Sequence, residues 1–118
     1  MNGDRDYGIV LRMIEHCRKI EELIERFGSS LDVFSRDSAY QDAVNMNLFQ
    51  IGELSNQLSD SFRDSKPEIP WRKMYGIRNI IAHAYVIVDM ATVWFTIVKD
   101  IPSLASQLTD CLDELGGK

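Results

Sequence analysis

At 118 residues the chain has the length of one ordinary domain, enough to enclose a single core. Its apolar share of 45% and charged share of 26% are those of a folded protein and exclude a disordered one. No stretch nears the roughly 18–20 unbroken apolar residues of a membrane span, and a net charge of −5 argues against a protein that coats nucleic acid. That charge still leaves room for a small site where a few cations meet one phosphate, or for a basic partner.

The first residues, MNGDRDYG, are polar and charged, unlike a secretory signal. From Asp4 to Phe27 the apolar Val10, Met13, Ile14, Cys17, Ile20, Ile24 and Phe27 recur at steps of three and four. This spacing predicts a helix, with Arg12, Glu15, Arg18, Lys19, Glu22 and Glu25 outside and Gly28 as its stop. Leu31 to Arg36 is expected to form a short helix. The next pattern, from Ala39 to Phe62, carries Tyr40, Val44, Leu48, Ile51, Leu58 and Phe62 on one stripe. Gly52 interrupts it at a cost of about 1 kcal/mol against alanine, which suggests that another backbone passes close there.

Two prolines break the chain in RDSKPEIP, and Pro70 suits the first turn of the following helix, PWRKMYGIRNIIAHA. YVIVD is β-branched and reads as a kink or loop. From Asp89 the residues Val93, Ile97, Ile101, Leu104, Leu108 and Leu112 are again helical in spacing, with Pro102 expected to bend or restart the helix and Gly116 and Gly117 to end it. No alternating run demands a strand. The expectation is an all-α bundle of four main helices plus a short one, in one domain spanning 1–118. Cys17 and Cys111 lie far apart without metal-like spacing, as expected of reduced thiols in or near the core of a cytoplasmic protein.

The chemistry concentrates in RNIIAHAY, Arg78 to Tyr85. On a helix Asn79 and His83 share a face, Arg78 and Tyr85 would share a neighbouring one, and Arg78 and His83 lie about 140° apart. Both reach one atom only if the helix distorts near His83 or if a second subunit completes the site. Such a set suits phosphodiester cleavage without a metal: His83 moves a proton, Arg78 clamps the phosphate, and the ribose 2′-hydroxyl of RNA is the nucleophile. The alternative is purely structural, with His83 at a helix C-terminus and the other groups satisfying carbonyls; spacing alone favours it. His16, the other histidine, lies on a different helix, and no metal site is expected.

RNIIAHAY resembles the Arg-x4-His-x-Tyr motif of HEPN-domain proteins, in particular the HepT-like toxin family. IGELSNQLS is similar to that family's Ile-Gly-Glu-Ala segment, and IPWRKMYGIRN to its Pro-Trp approach to the motif; the likeness covers nearly the whole chain. The resemblance implies a HEPN-type bundle that forms a homodimer, with two motifs meeting at the subunit cleft. It implies a cytoplasmic, metal-independent endoribonuclease toxin that needs no cofactor, cleaves RNA such as tRNA to 2′,3′-cyclic phosphate ends, and belongs to a toxin–antitoxin pair. The implied antitoxin is a minimal nucleotidyltransferase that adds AMP to the motif tyrosine.

Carried onto this sequence, Arg78 binds phosphate, His83 is the acid-base group, Asn79 supports the site and Tyr85 is the AMPylation target. An adenylylated Tyr85 would place bulk and negative charge where RNA phosphate must sit. Ala84 stands where many relatives carry a larger polar residue, and Leu54 where the pattern favours Ala. Glu53, beside Gly52, is expected either to face Arg78 and hold the motif helix or to remain solvated. Trp71 and Trp94 are expected as core or dimer-interface aromatics rather than base-stacking platforms. The alternative function is a catalytically silent HEPN module that binds and regulates a nucleotidyltransferase.

Overall fold

The computed structural model of the protein describes residues 2–84 and 89–116, with the backbone alone at 2, 80, 83 and 84. All of its regular elements are helical. Helix α1 (Asn2–Phe27) buries Val10, Met13, Ile14, Cys17 and Ile20, the stripe its periodicity predicts. Gly28 ends it at φ 123°, a left-handed conformation that costs glycine little, and its carbonyl accepts a hydrogen bond from the Tyr40 hydroxyl at 3.0 Å. Ser30 caps α2 (Leu31–Arg36) by accepting from the Val33 amide, and Asp37 caps α3 (Ser38–Gln57) by accepting from that of Tyr40.

The third helix does not run to Phe62. It stops at Gln57, Leu58 turns extended with ψ 150°, and a second short helix, α4 (Asp60–Asp64), follows. The cause is polar and non-local. Ser59 caps α4 by accepting from the Phe62 amide, while its own amide and hydroxyl donate to the buried carboxylate of Asp6 at 2.9 and 2.7 Å. The apolar stripe survives the break, because Leu58 and Phe62 both remain buried.

The segment after α4 is tied down at both edges. The Trp71 indole donates to the carbonyls of Arg63 and Lys66, and the Lys66 ammonium holds Glu114 at 2.7 Å. The Pro70 carbonyl accepts the first hydrogen bond of α5 (Trp71–Ala84), from Met74, so Pro70 stands at the cap and no helical donor is lost. YVIVD falls outside the described residues except for Asp89, which caps α6 (Met90–Phe95). A π-type turn over Thr96–Asp100 then leads directly into α7 (Ile101–Gly116). Pro102 accounts for that turn: it lacks an amide donor, and its ring would crowd the carbonyl one regular turn earlier, so the backbone widens just before it.

Helix α3 packs on both α1 and α5, and α7 packs on α1. Tyr40 anchors the end of the core near the α1–α2 turn, stacked on Phe27 at 4.9 Å and edge-on to Phe34. Trp94 packs against Phe34 and Tyr40, and Trp71 against Phe62, so both tryptophans are packing aromatics. Cys17 and Cys111 are free and buried. Burial pushes the Cys17 thiol up to about 12, with the Glu21 carboxylate adding to it, and raises that of Cys111 as well; neither forms a ready thiolate nucleophile.

Candidate active site

The position of Arg78 begins with the absence of a side chain at residue 52. A β-carbon placed on Gly52 would lie 2.4 Å from Cβ and 3.0 Å from Cγ of Arg78, and 3.0 Å from the Met74 carbonyl oxygen. Glycine thus lets α5 settle directly onto α3, with the Arg78 stem lying over residue 52. The next residue, Glu53, accepts a hydrogen bond from Arg78 Nε at 2.7 Å, and Arg78 Nη1 donates to Asn79 Oδ1 at 2.9 Å. Glu53 is therefore not a freely solvated carboxylate. With the Arg78 side chain 21% exposed and that of Glu53 35%, the pair sits at a half-buried edge rather than in the core.

Two aromatic rings complete the setting. The guanidinium carbon lies 5.2 Å from the Phe49 ring centre and 5.7 Å from that of Tyr75, within cation–π range. Neither ring is singled out by the motif. Their register carries a signal, since Phe49 is one turn before Glu53 on α3 and Tyr75 one turn before Arg78 on α5. Glu53 orients the guanidinium through Nε, leaving N–H groups of the two terminal nitrogens for a ligand. Among the described residues, Nη2 has no hydrogen-bond partner. A guanidinium fixed in this way offers a planar fork suited to two oxygens of one phosphate.

The backbone of α5 stays α-helical through His83 to Ala84. Nothing in the path of the chain brings positions 78 and 83 onto the same side, so the helix itself supplies no distortion that would unite them. Tyr85 lies outside the described residues. On the Phe49 side of the guanidinium, Asp42, Asn45, Met46, Phe49, Gln50 and Ile81 line an open groove. Met46 is 60% exposed there, and Asn45 Oδ1 is buried with no hydrogen-bond partner among the described residues. A narrow, mostly apolar crevice between Met74, Ile77 and Ile101 contains none of the motif residues. Among the described residues no three of His, Cys, Asp and Glu converge as a metal site would require.

An all-α bundle with a motif helix locked on its neighbour through Gly52, Glu53 and Arg78 defines a HEPN-type protein. The Ribonuclease HepT-like family model matches residues 13–110. The chain belongs to the HepT-like ribonuclease family. It is 40% identical over 93 residues to the "Probable ribonuclease HepT" of Thermococcus cleftensis, covering 77% of this chain and 84% of that one. It is 34% identical over 103 residues to a "Putative RNase" of Caldanaerobacter subterraneus subsp. tengcongensis, covering 86% and 92%. No solved structure matches it significantly.

Proposed function

We propose that the protein is a metal-independent endoribonuclease toxin acting at a site shared by two copies of the chain. The observation that carries this reading is the held guanidinium: Glu53 and Asn79 fix Arg78 at a half-buried edge between two rings, as a phosphate clamp requires. Membership in a family of ribonucleases supports RNA as the substrate. In the proposed reaction the ribose 2′-oxygen attacks phosphorus while His83 takes up its proton, and the P–O5′ bond breaks as the leaving oxygen is protonated. The products are a 2′,3′-cyclic phosphate and a 5′-hydroxyl end. Arg78 opposes the charge that builds on the non-bridging oxygens.

A second copy seated on the groove of Met46, Phe49 and Ile81 would bring a partner's motif toward Arg78 and offer the buried Asn45 oxygen a donor. The regular helix through Ala84 favours this arrangement over a site made within one chain. The control partner in this reading is a minimal nucleotidyltransferase antitoxin, which transfers AMP from ATP to the Tyr85 hydroxyl with release of pyrophosphate and so adds bulk and a phosphate charge to the motif.

Shared sites predict complementation. Arg78→Ala and His83→Ala chains are each inactive alone; mixed and allowed to exchange, they form one intact site per mixed dimer and regain about a quarter of the parent rate. No recovery in mixtures shown by native mass spectrometry to contain the mixed dimer would place the whole site in one chain.

A further inference from the structure

Five of the six Arg, Lys and His residues of α1 lie on one flank. Arg5, Arg12, Lys19 and Arg26 repeat every seven residues, close to two helical turns, so they fall in a line, with His16 between the second and third. Twenty-one residues at 1.5 Å each make this line about 32 Å long. The acidic Asp4, Glu15 and Glu22 follow the line a little further round the helix, and Asp4 and Glu22 reach the hollows that the cations border. All four charged members are exposed. Among the described residues none has a carboxylate within ion-pair distance, whereas Arg36, Arg63, Lys66, Lys73 and Arg78 each hold one.

The line runs beside α3, and its Arg5 end meets α3 at Gln57. Arg5 and Arg12 border a shallow hollow with Gln57, and Lys19 and Arg26 border another with Ala43 and Asn47. His16 is held in register by Asn47: Asn47 Nδ2 donates to the Ala43 carbonyl, which leaves Oδ1 to accept from His16 Nδ1 at 2.8 Å. At the other end Arg5 Nη1 donates to the Gln57 carbonyl at 2.7 Å. Gln57 is one helical turn from Glu53, the residue that holds Arg78.

We infer that this flank of α1 is the track for the phosphate backbone of an RNA strand that crosses α3 at Glu53 and Gln57 on its way from Arg78. The inference rests on the ribonuclease reading and names the surface that reads substrate length. A linear row of unpaired cations matches a polyanionic chain, whereas a docking surface for an acidic protein has an apolar centre inside a polar rim. Here the apolar side chains lining the two hollows are Ile9, Leu23 and the small Ala43, with Ile9 buried and Leu23 half-buried, so no exposed apolar centre lies between the cations. With the chain at −5 overall, binding depends on this local row and weakens steeply with salt.

The test uses the full-length protein with a labelled 20-nucleotide RNA whose riboses are 2′-O-methylated, and therefore uncleavable. Anisotropy is read from 50 to 300 mM KCl in EDTA. Arg12→Gln/Lys19→Gln/Arg26→Gln is compared with Arg18→Gln/Arg36→Gln/Lys99→Gln, which removes the same charge elsewhere. The first set weakens binding about tenfold or more at 50 mM salt and lowers the salt slope by about two, while the second stays near the parent. Cleavage of a dinucleotide, too short to reach the track, is equal in all three proteins. Equal binding by both sets, no binding by the parent, or RNA displaced by polyglutamate more readily than by unlabelled RNA overturns the track. Loss of dinucleotide cleavage in the first set also overturns it, by making these residues part of the site. Track-dependent binding by a parent that cleaves no RNA sinks the nuclease reading and leaves the track standing.

Discussion

Replacing Arg78 by alanine lowers RNA cleavage by about 10²–10³-fold, the loss typical of removing a donor that opposes transition-state charge. The protein still folds, with a melting temperature within about 5 °C of the parent, because an ion pair at the edge of the fold is partly screened by water and contributes little. Arg78→Lys is the informative companion. It keeps the charge but loses the planar fork whose Nε is held by Glu53 and whose Nη1 meets Asn79, so it recovers only a small part of the lost rate. Single-turnover cleavage of a defined RNA, with thermal melting alongside, reads both quantities. A lysine variant as active as the parent would show that charge alone suffices and that the held geometry is irrelevant.

Gly52→Ala has the second large effect, and its sign opposes helix propensity. On propensity alone alanine would stabilise α3 by about 1 kcal/mol. The added carbon meets the Arg78 stem at 2.4 Å, which no rotamer change relieves because the atom it meets is itself a β-carbon. Either α5 lifts off α3 or the helices distort, so melting falls by about 5–15 °C. Cleavage falls by about 10²-fold as the clamp moves. Gly76→Ala is the control: it lies in α5 with nothing within 4 Å of an added carbon, and it raises the melting temperature by a few degrees. Equal behaviour of the two variants would mean that the contact at residue 52 does not position Arg78.

The close approach at Gly52 was legible because glycine inside a strong helical stripe needs a reason, and the packing of another helix is a common one. Glu53 was legible as one of two options, which the Arg78 Nε contact separates. The break at Leu58 was not legible from the stripe, since Leu58 and Phe62 keep their apolar period through it. Its cause is the buried carboxylate of Asp6, more than fifty residues away, and local patterns do not register such a partner. The cationic line of α1 was written in the sequence as a seven-residue repeat. Taken simply as an outer face, those residues merge with the acidic ones beside them, and the contacts of Arg5 and His16 with α3 show which flank they share. The contact of Arg78 with Glu53, on which the proposed phosphate clamp rests, is thus foreshadowed by residue types and spacing. The aromatic walls of the clamp, Phe49 and Tyr75, required the register between two helices.

The most direct test of the central claim is cleavage of total RNA and of tRNA in excess EDTA by protein shown by mass spectrometry to be unmodified at Tyr85, with His83→Ala prepared in parallel. The parent alone is expected to cut, leaving 2′,3′-cyclic phosphate and 5′-hydroxyl ends. Equal cutting by both proteins would assign the activity to another site or to a contaminant. No cutting by either, across RNAs of many kinds, would contradict the nuclease and point to a module that binds and regulates a nucleotidyltransferase.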